Sequence, residues 1–119
     1  MASSIIPSGA DLLWTNSNPT VKYETEYEHI DLSKYKYILI TFIIRLSGMY
    51  RTACFVPVDG ASYLASSMSW DGSKNIACGR HFRAEPTYIR FGFAYRFEQY
   101  SVSTADNTYL VPYQVYGIN

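Results

Sequence analysis

The chain has two cysteines, two histidines and no surplus of either charge among its 119 residues. With Lys plus Arg and Asp plus Glu both at 10, no global field draws it to nucleic acid or to an anionic membrane. Cys54 and Cys78 are too few to staple a disulfide scaffold and form no C-x-x-C pair. A bridge between them is geometrically open in a sandwich, but two reduced, buried thiols are the favoured expectation. His29 and His81 stand far apart in sequence, so no zinc set is expected, and nothing implies a cofactor. The longest apolar run, Tyr37 to Ile44, ends at Arg45 and is too short to cross a bilayer. The start, Met-Ala-Ser-Ser-Ile-Ile-Pro, has neither the charged head nor the apolar stretch of a secretion signal, which predicts folding in a cytoplasm. No segment carries a convincing amphipathic-helix period.

Aromatic residues are abundant instead, at 17% of the chain, and twelve of them are tyrosine. Tyrosine joins a large apolar ring to a hydroxyl that tolerates water. Two readings follow: rings packed in and beside a sheet, or a Tyr-rich surface for a protein or sugar partner.

The pattern of residues predicts strands throughout. Residues 1–11 read as an N-terminal arm punctuated by Pro7-Ser8-Gly9, and 12–119 as one domain. Leu12 to Thr15 is a short strand closed by Asn16-Ser17-Asn18-Pro19. From Val21 to His29 the chain alternates, with Val21, Tyr23, Thr25, Tyr27 and His29 on one face and Lys22, Glu24, Glu26 and Glu28 on the other. Lys36 to Leu46, apolar on both faces, reads as a central strand covered on both sides, with Met49 to Val56 as its antiparallel return. Pro57 to Ser73 holds two Asp-Gly turn pairs and reads as loop with one short strand at Tyr63 to Ser66. Asn75 to Ala84 resumes a strand, broken at Glu85-Pro86. Thr87 to Phe97 then alternates, with Ile89, Phe91, Phe93, Tyr95 and Phe97 on one face. Ser101 to Asn107 is a polar turn. Thr108 to Ile118 closes the chain, its Pro112 marking an edge or a bulge. Seven or eight strands without a helix predict an all-β, antiparallel, jelly-roll-like sandwich.

Catalytic chemistry finds little to use. There is no G-x-S-x-G elbow, phosphate loop, dinucleotide fingerprint or calcium loop. His29 and His81 lie in strand contexts that suit packing better than base catalysis. A glycosidase would need two carboxylates about 5–9.5 Å apart across a cleft. The candidates are Glu24, Glu26, Glu28, Asp59, Asp71, Glu85, Glu98 and Asp106, mostly on wet faces or in turns. The expectation is therefore that the chain is not an enzyme. Trp70 is the best ligand contact, since an indole face stacks on a sugar ring and the neighbouring Asp71 can accept from its hydroxyls; Tyr63 shares that loop. Arg80, Arg83, Arg90 and Arg96 either line a stripe for an anionic sugar or pair with the Glu24–Glu28 face across neighbouring strands. The candidate ligand-binding set is Tyr63, Trp70, Asp71, Arg80 and Arg83.

Three stretches resemble phage and prophage tail or fibre proteins, the tail-associated structural or receptor-binding domains of Firmicutes-type phages. They are Asp11-Leu12-Leu13-Trp14-Thr15-Asn16-Ser17-Asn18-Pro19-Thr20, Asp31-Leu32-Ser33-Lys34-Tyr35-Lys36-Tyr37, and Val111-Pro112-Tyr113-Gln114-Val115-Tyr116-Gly117-Ile118. The likeness spans both ends of the chain and is weaker in the middle, from Asp59 to Ser73. It implies an all-β virion domain, a homo-oligomer with a trimer favoured, contacts with other virion proteins, and a surface offered to a host glycan or protein. The long fibrous stalk of a fibre protein is missing, so a stand-alone tip or decoration protein and an excised domain both fit. From a different class, a free-standing carbohydrate-binding module built on Trp70 and Tyr63 also fits the residues.

Overall fold

The computed structural model describes residues 9–45, 49–70, 72–98 and 104–119. Among them the chain forms seven strands of six or more residues and two of two residues. These are β1 Ala10–Thr15, β2 Tyr27–Glu28, β3 Tyr37–Arg45, β4 Met49–Pro57, β5 Tyr63–Trp70, β6 Asn75–Glu85, β7 Tyr88–Glu98, β8 Thr104–Ala105 and β9 Val111–Ile118. All pairings are antiparallel. The first sheet runs β1-β9-β3-β4, and the second runs β2-β7-β6-β5 with β8 also on β7.

The two sheets face each other across an apolar layer, as expected for a sandwich. Ile38, Ile40, Phe42 and Ile44 of β3 and Val111 and Val115 of β9 meet Ile76, Phe82 and Ala84 of β6 and Ile89 and Phe91 of β7. The Phe42 and Phe82 rings stand 5.9 Å apart, and Phe82 leads on to Phe91 and then Tyr23 at 6.4 and 5.4 Å. Burying each such side chain contributes roughly 1.5–3 kcal/mol, which makes this layer the main source of stability. Cys78 is buried in it and Cys54 packs half-buried against it; both are free thiols, and burial raises the pKa of each.

Several expectations from the residue pattern give way to tertiary contacts. The strand begins at Ala10, inside the expected arm, whose residues 1–8 lie outside the described residues. Of Val21 to His29 only Tyr27–Glu28 is strand. Tyr23 leaves the alternating row for the core, where its hydroxyl donates to Glu28 Oε1 at 2.9 Å and its N–H donates to the Asn107 carbonyl at 3.0 Å, while Val21 and Tyr27 stay exposed. Those bonds and the burial of one ring outweigh the extension of the strand. β3 is buried along its inner face, while its outer face is covered only in part: Ile43 is buried, Leu39 and Thr41 are half-buried, and Tyr37 is exposed and stacks on Phe55 at 5.3 Å. The short strand expected at Tyr63 to Ser66 runs on to Trp70, paired residue for residue with β6. Leu46 and residues 101–103 lie outside the described residues. Pro112 falls at a register shift in β9, a strand paired on both sides, so it marks a bulge and not an edge.

Two close fits fix the assembly of the layers. A Cβ on Gly117 of β9 would lie 2.7 Å from the Tyr35 ring, whose hydroxyl donates to Asp11 Oδ2 at 2.8 Å on β1. Arg80 of β6, only 1% exposed, places its guanidinium inside the sandwich. Nη1 donates to the carbonyls of Gly92 (2.9 Å) and Tyr23 (3.4 Å), and Nη2 to those of Tyr109 (3.2 Å) and Asn107 (3.3 Å). The Tyr23 ring lies 5.9 Å from the cation.

Replacing Arg80 by Met removes the guanidinium donors from the carbonyls of Tyr23, Gly92 and Tyr109, while Asn107 keeps the Tyr23 N–H, and the expected loss is about 3 kcal/mol or more, read from the urea midpoint. Gly117→Ala is expected to cost about 1–3 kcal/mol by forcing the Tyr35 ring aside. That cost should shrink in a Tyr35→Ala background, as a double-mutant thermal-melt cycle would measure.

Candidate binding surfaces on the second sheet

The face of β7 presented to solvent is decided by a β-bulge. Arg80 pairs with Ala94 and Phe82 with Phe91, so one residue of β6 stands against two of β7, Gly92 and Phe93. Up to Phe91 the apolar row points inward. Beyond the bulge the alternation is reversed: Ala94 is buried, while Phe93, Tyr95 and Phe97 face outward and are exposed. The five residues that share one face by period-two counting are therefore split between core and surface. An isolated glycine within a strand is the local sign of such a bulge, and Gly92 supplied it.

The carbonyl freed by the bulge at Gly92 is taken by Arg80, and the chain beyond it by the segment before β9. Ala94 N–H donates to Asn107 Oδ1 at 2.9 Å, and Asp106 N–H donates to the Ala94 carbonyl at 2.7 Å. Desolvation pulls the Arg80 guanidinium down to about 10, and it stays cationic at neutral pH. No described carboxylate pairs with it. The same segment places Leu110 at φ 47°, a left-handed conformation rare for a branched side chain, with that side chain wholly buried.

Across the outer face, β5 contributes Leu64, Met68 and Trp70, β6 contributes the small residues Ala77 and Gly79, and β7 contributes Phe93, Tyr95 and Phe97. The result is an apolar trough with a low floor. Its six large side chains are 40–74% exposed. None of them is charged. β5 is the edge of the sheet, and among the described residues no strand pairs with its free side. Its sequence, Tyr-Leu-Ala-Ser-Ser-Met-Ser-Trp, carries no charge or proline, the usual guards of an edge.

At the far end of this face a cleft of about 440 Å³ opens beside the bulge. Glu24 and Glu26 line one side, and His81, Arg83, Ser62 and Phe93 lie along it, with Arg80 behind. Glu26 Oε2 takes both Nε and Nη2 of Arg90 at 3.0 and 2.7 Å, and this bond raises the Arg90 pKa. Glu24 reaches Lys22 at 3.5 Å. Arg83 has only Glu85 near, at 3.9 Å, and its Nε is enclosed without a hydrogen-bond partner. The Nε of Arg80 is likewise unpartnered.

The candidate residues read from the sequence do not converge. Tyr63 turns inward, its ring 6.3 Å from Phe82, and its hydroxyl donates to Asp59 Oδ2 at 2.8 Å, bracing the crossing from β4 to β5. Trp70 is exposed as expected, but on a strand and not in a loop. Asp71 lies outside the described residues. Arg80 is an internal strut, and a ligand at the surface cannot take the four bonds it already makes. Arg83 lines the cleft. Trp70 pairs with Asn75 and Leu64 with His81, so Trp70 and the cleft lie roughly 20 Å apart at about 3.3 Å per residue. Only Arg90 reaches the Glu24–Glu28 row; Arg96 pairs with Glu98 of its own strand at 3.3 Å. No family model, curated protein or solved structure matches the chain.

Two exposed aspartates contribute to the acid response. The Ala61 N–H and then the Tyr63 hydroxyl hold Asp59 below its ordinary value, and the Ser33 hydroxyl and N–H do the same for Asp31. A carboxylate depressed in the folded state stabilises above its unfolded pKa, about 3.9, and that stabilisation is lost as pH falls through the folded value. The denaturation midpoint is therefore expected to drop as pH falls below the unfolded value of about 3.9 and through the lower folded one. An Asp31→Asn/Asp59→Asn double variant is expected to show a shallower drop in the same titration.

Proposed function

We propose that this chain is a non-enzymatic virion domain, of tail or fibre type, that assembles with copies of itself and contacts other virion proteins and a host-surface glycan or protein. The observation that carries the assembly is the uncharged trough and free β5 edge of the second sheet. Its six large side chains expose about 700 Å² at roughly 200 Å² for each large apolar residue. A partner in a stable interface gives about 800 Å². A second copy meets this face with matching chemistry, because both partners bring apolar side chains and neither brings a charge to be desolvated. Edge strands without guards add strands from another chain. The outer face of the first sheet, with Leu12, Tyr37 and Phe55 exposed, leaves a second and smaller apolar surface for a different virion protein.

Trp70, 61% exposed at the end of β5, favours one other reading, a free-standing carbohydrate-binding module. Glycan binding by a monomer, abolished by Trp70→Ala, would select it.

Light scattering on the purified chain tests the leading reading. A mass at a multiple of 13.6 kDa is expected, with three chains favoured. Met68→Lys places a charge in the trough beside the free edge and is expected to return the 13.6 kDa monomer with an unchanged melting curve. A wild-type monomer at high concentration overturns the assembly.

A further inference from the structure

The cleft beside the bulge is lined by arginines, glutamates and aromatic rings together. It is of small-ligand size, at about 440 Å³ against the roughly 300–1,000 Å³ common for such sites. The cations and anions around it are unevenly paired. Glu26 is committed to Arg90 at 2.7 Å and Glu24 leans to Lys22, whereas Arg83 has only the long ion pair of its Nε to Glu85 at 3.9 Å, beyond hydrogen-bond reach. Behind it, Arg80 adds a second positive charge that no described carboxylate pairs with, and its Nε is unpartnered. The Arg83 side chain is about one third exposed, and its terminal Nη groups, not the enclosed Nε, present planar donors suited to a carboxylate. Phe93, turned outward by the bulge and 63% exposed, gives an aromatic wall, and Ser62, His81 and Glu24 supply polar groups around it.

We infer that this cleft binds a carboxylated sugar, with the carboxylate on Arg83 and the C–H face of the ring against Phe93. Glu24 then accepts from ring hydroxyls, an arrangement a bare anion could not use. A simple anion would profit from Arg83 alone and a neutral sugar from Phe93 and Glu24 alone. The pairing of the two defines the ligand class. The inference rests on the reading of the chain as a receptor-contact domain; it uses no residue of β5 but shares Phe93 with the trough, so the titration is run on the Met68→Lys chain as well.

The test is a titration of the full chain with glucuronate, glucose and acetate, followed by the NMR signals of the His81 ring. Glucuronate is expected to shift them saturably, at an affinity about tenfold or more above those of glucose and acetate. Arg83→Gln is expected to weaken glucuronate about tenfold with the melting curve unchanged, and Phe93→Ala to weaken it while leaving acetate unaffected. Acetate or glucose matching glucuronate overturns the inference, as does an unaltered affinity in Arg83→Gln. A chain that assembles but ignores glucuronate removes the cleft and leaves the assembly standing; a monomer that binds glucuronate does the reverse.

Discussion

A guanidinium enclosed between two sheets without a carboxylate costs several kcal/mol in lost hydration unless its donors are used. Arg80 uses them on backbone carbonyls from three stretches of chain: Tyr23 after β1, Gly92 in the bulge of β7, and Asn107 and Tyr109 before β9. Only the Asn107 carbonyl also accepts the Tyr23 N–H, at 3.0 Å, so the cation and the interior carbonyls around it depend on one another. The arrangement holds the bulge open, and the bulge sets which residues of β7 meet water.

From that local irregularity follows the character of the surface. A regular β7 would bury Phe93, Tyr95 and Phe97 and leave a polar outer face, the usual outcome for a half-wet antiparallel strand. The shift of one residue moves three aromatic rings to the outside, opposite Leu64, Met68 and Trp70, with Ala77 and Gly79 between the rows. Exposed apolar area of this extent on one face is uncommon on a protein that stays alone. The same bulge brings Phe93 to the rim of the cleft that Arg83 lines. The exposed apolar face and the cleft therefore share one cause, the bulge at Gly92 that Arg80 bonds to.

Much of the architecture was legible in the residues because period-two alternation and turn formers are local signals. β3, β4, β6 and β7 lie within a residue or two of where branched and aromatic runs place them, and the two-residue turn at Pro86-Thr87 separates β6 from β7. The misreadings have a common origin in distant partners. Tyr23 left its row for a site formed by Phe91, Glu28 and Asn107. β5 extended to Trp70 through the serines because β6 supplied a ladder for them, although Ser66, Ser67 and Ser69 by themselves signal loop. Arg80 looked like its neighbours Arg83 and Arg90, since nothing in its flanking residues foretells burial.

The sequence by itself determined an antiparallel sandwich, the approximate strands, and a chain rich in rings and balanced in charge, because these depend on spacing and composition alone. The tertiary structure decided which arginine lies inside, which aromatics lie outside, and where Trp70 stands relative to the cleft. Each of those turns on register, and a one-residue shift between paired strands exchanges every inward side chain for its outward neighbour. Such a shift is fixed by partners far along the chain, here the carbonyls that Arg80 collects from Tyr23 to Tyr109.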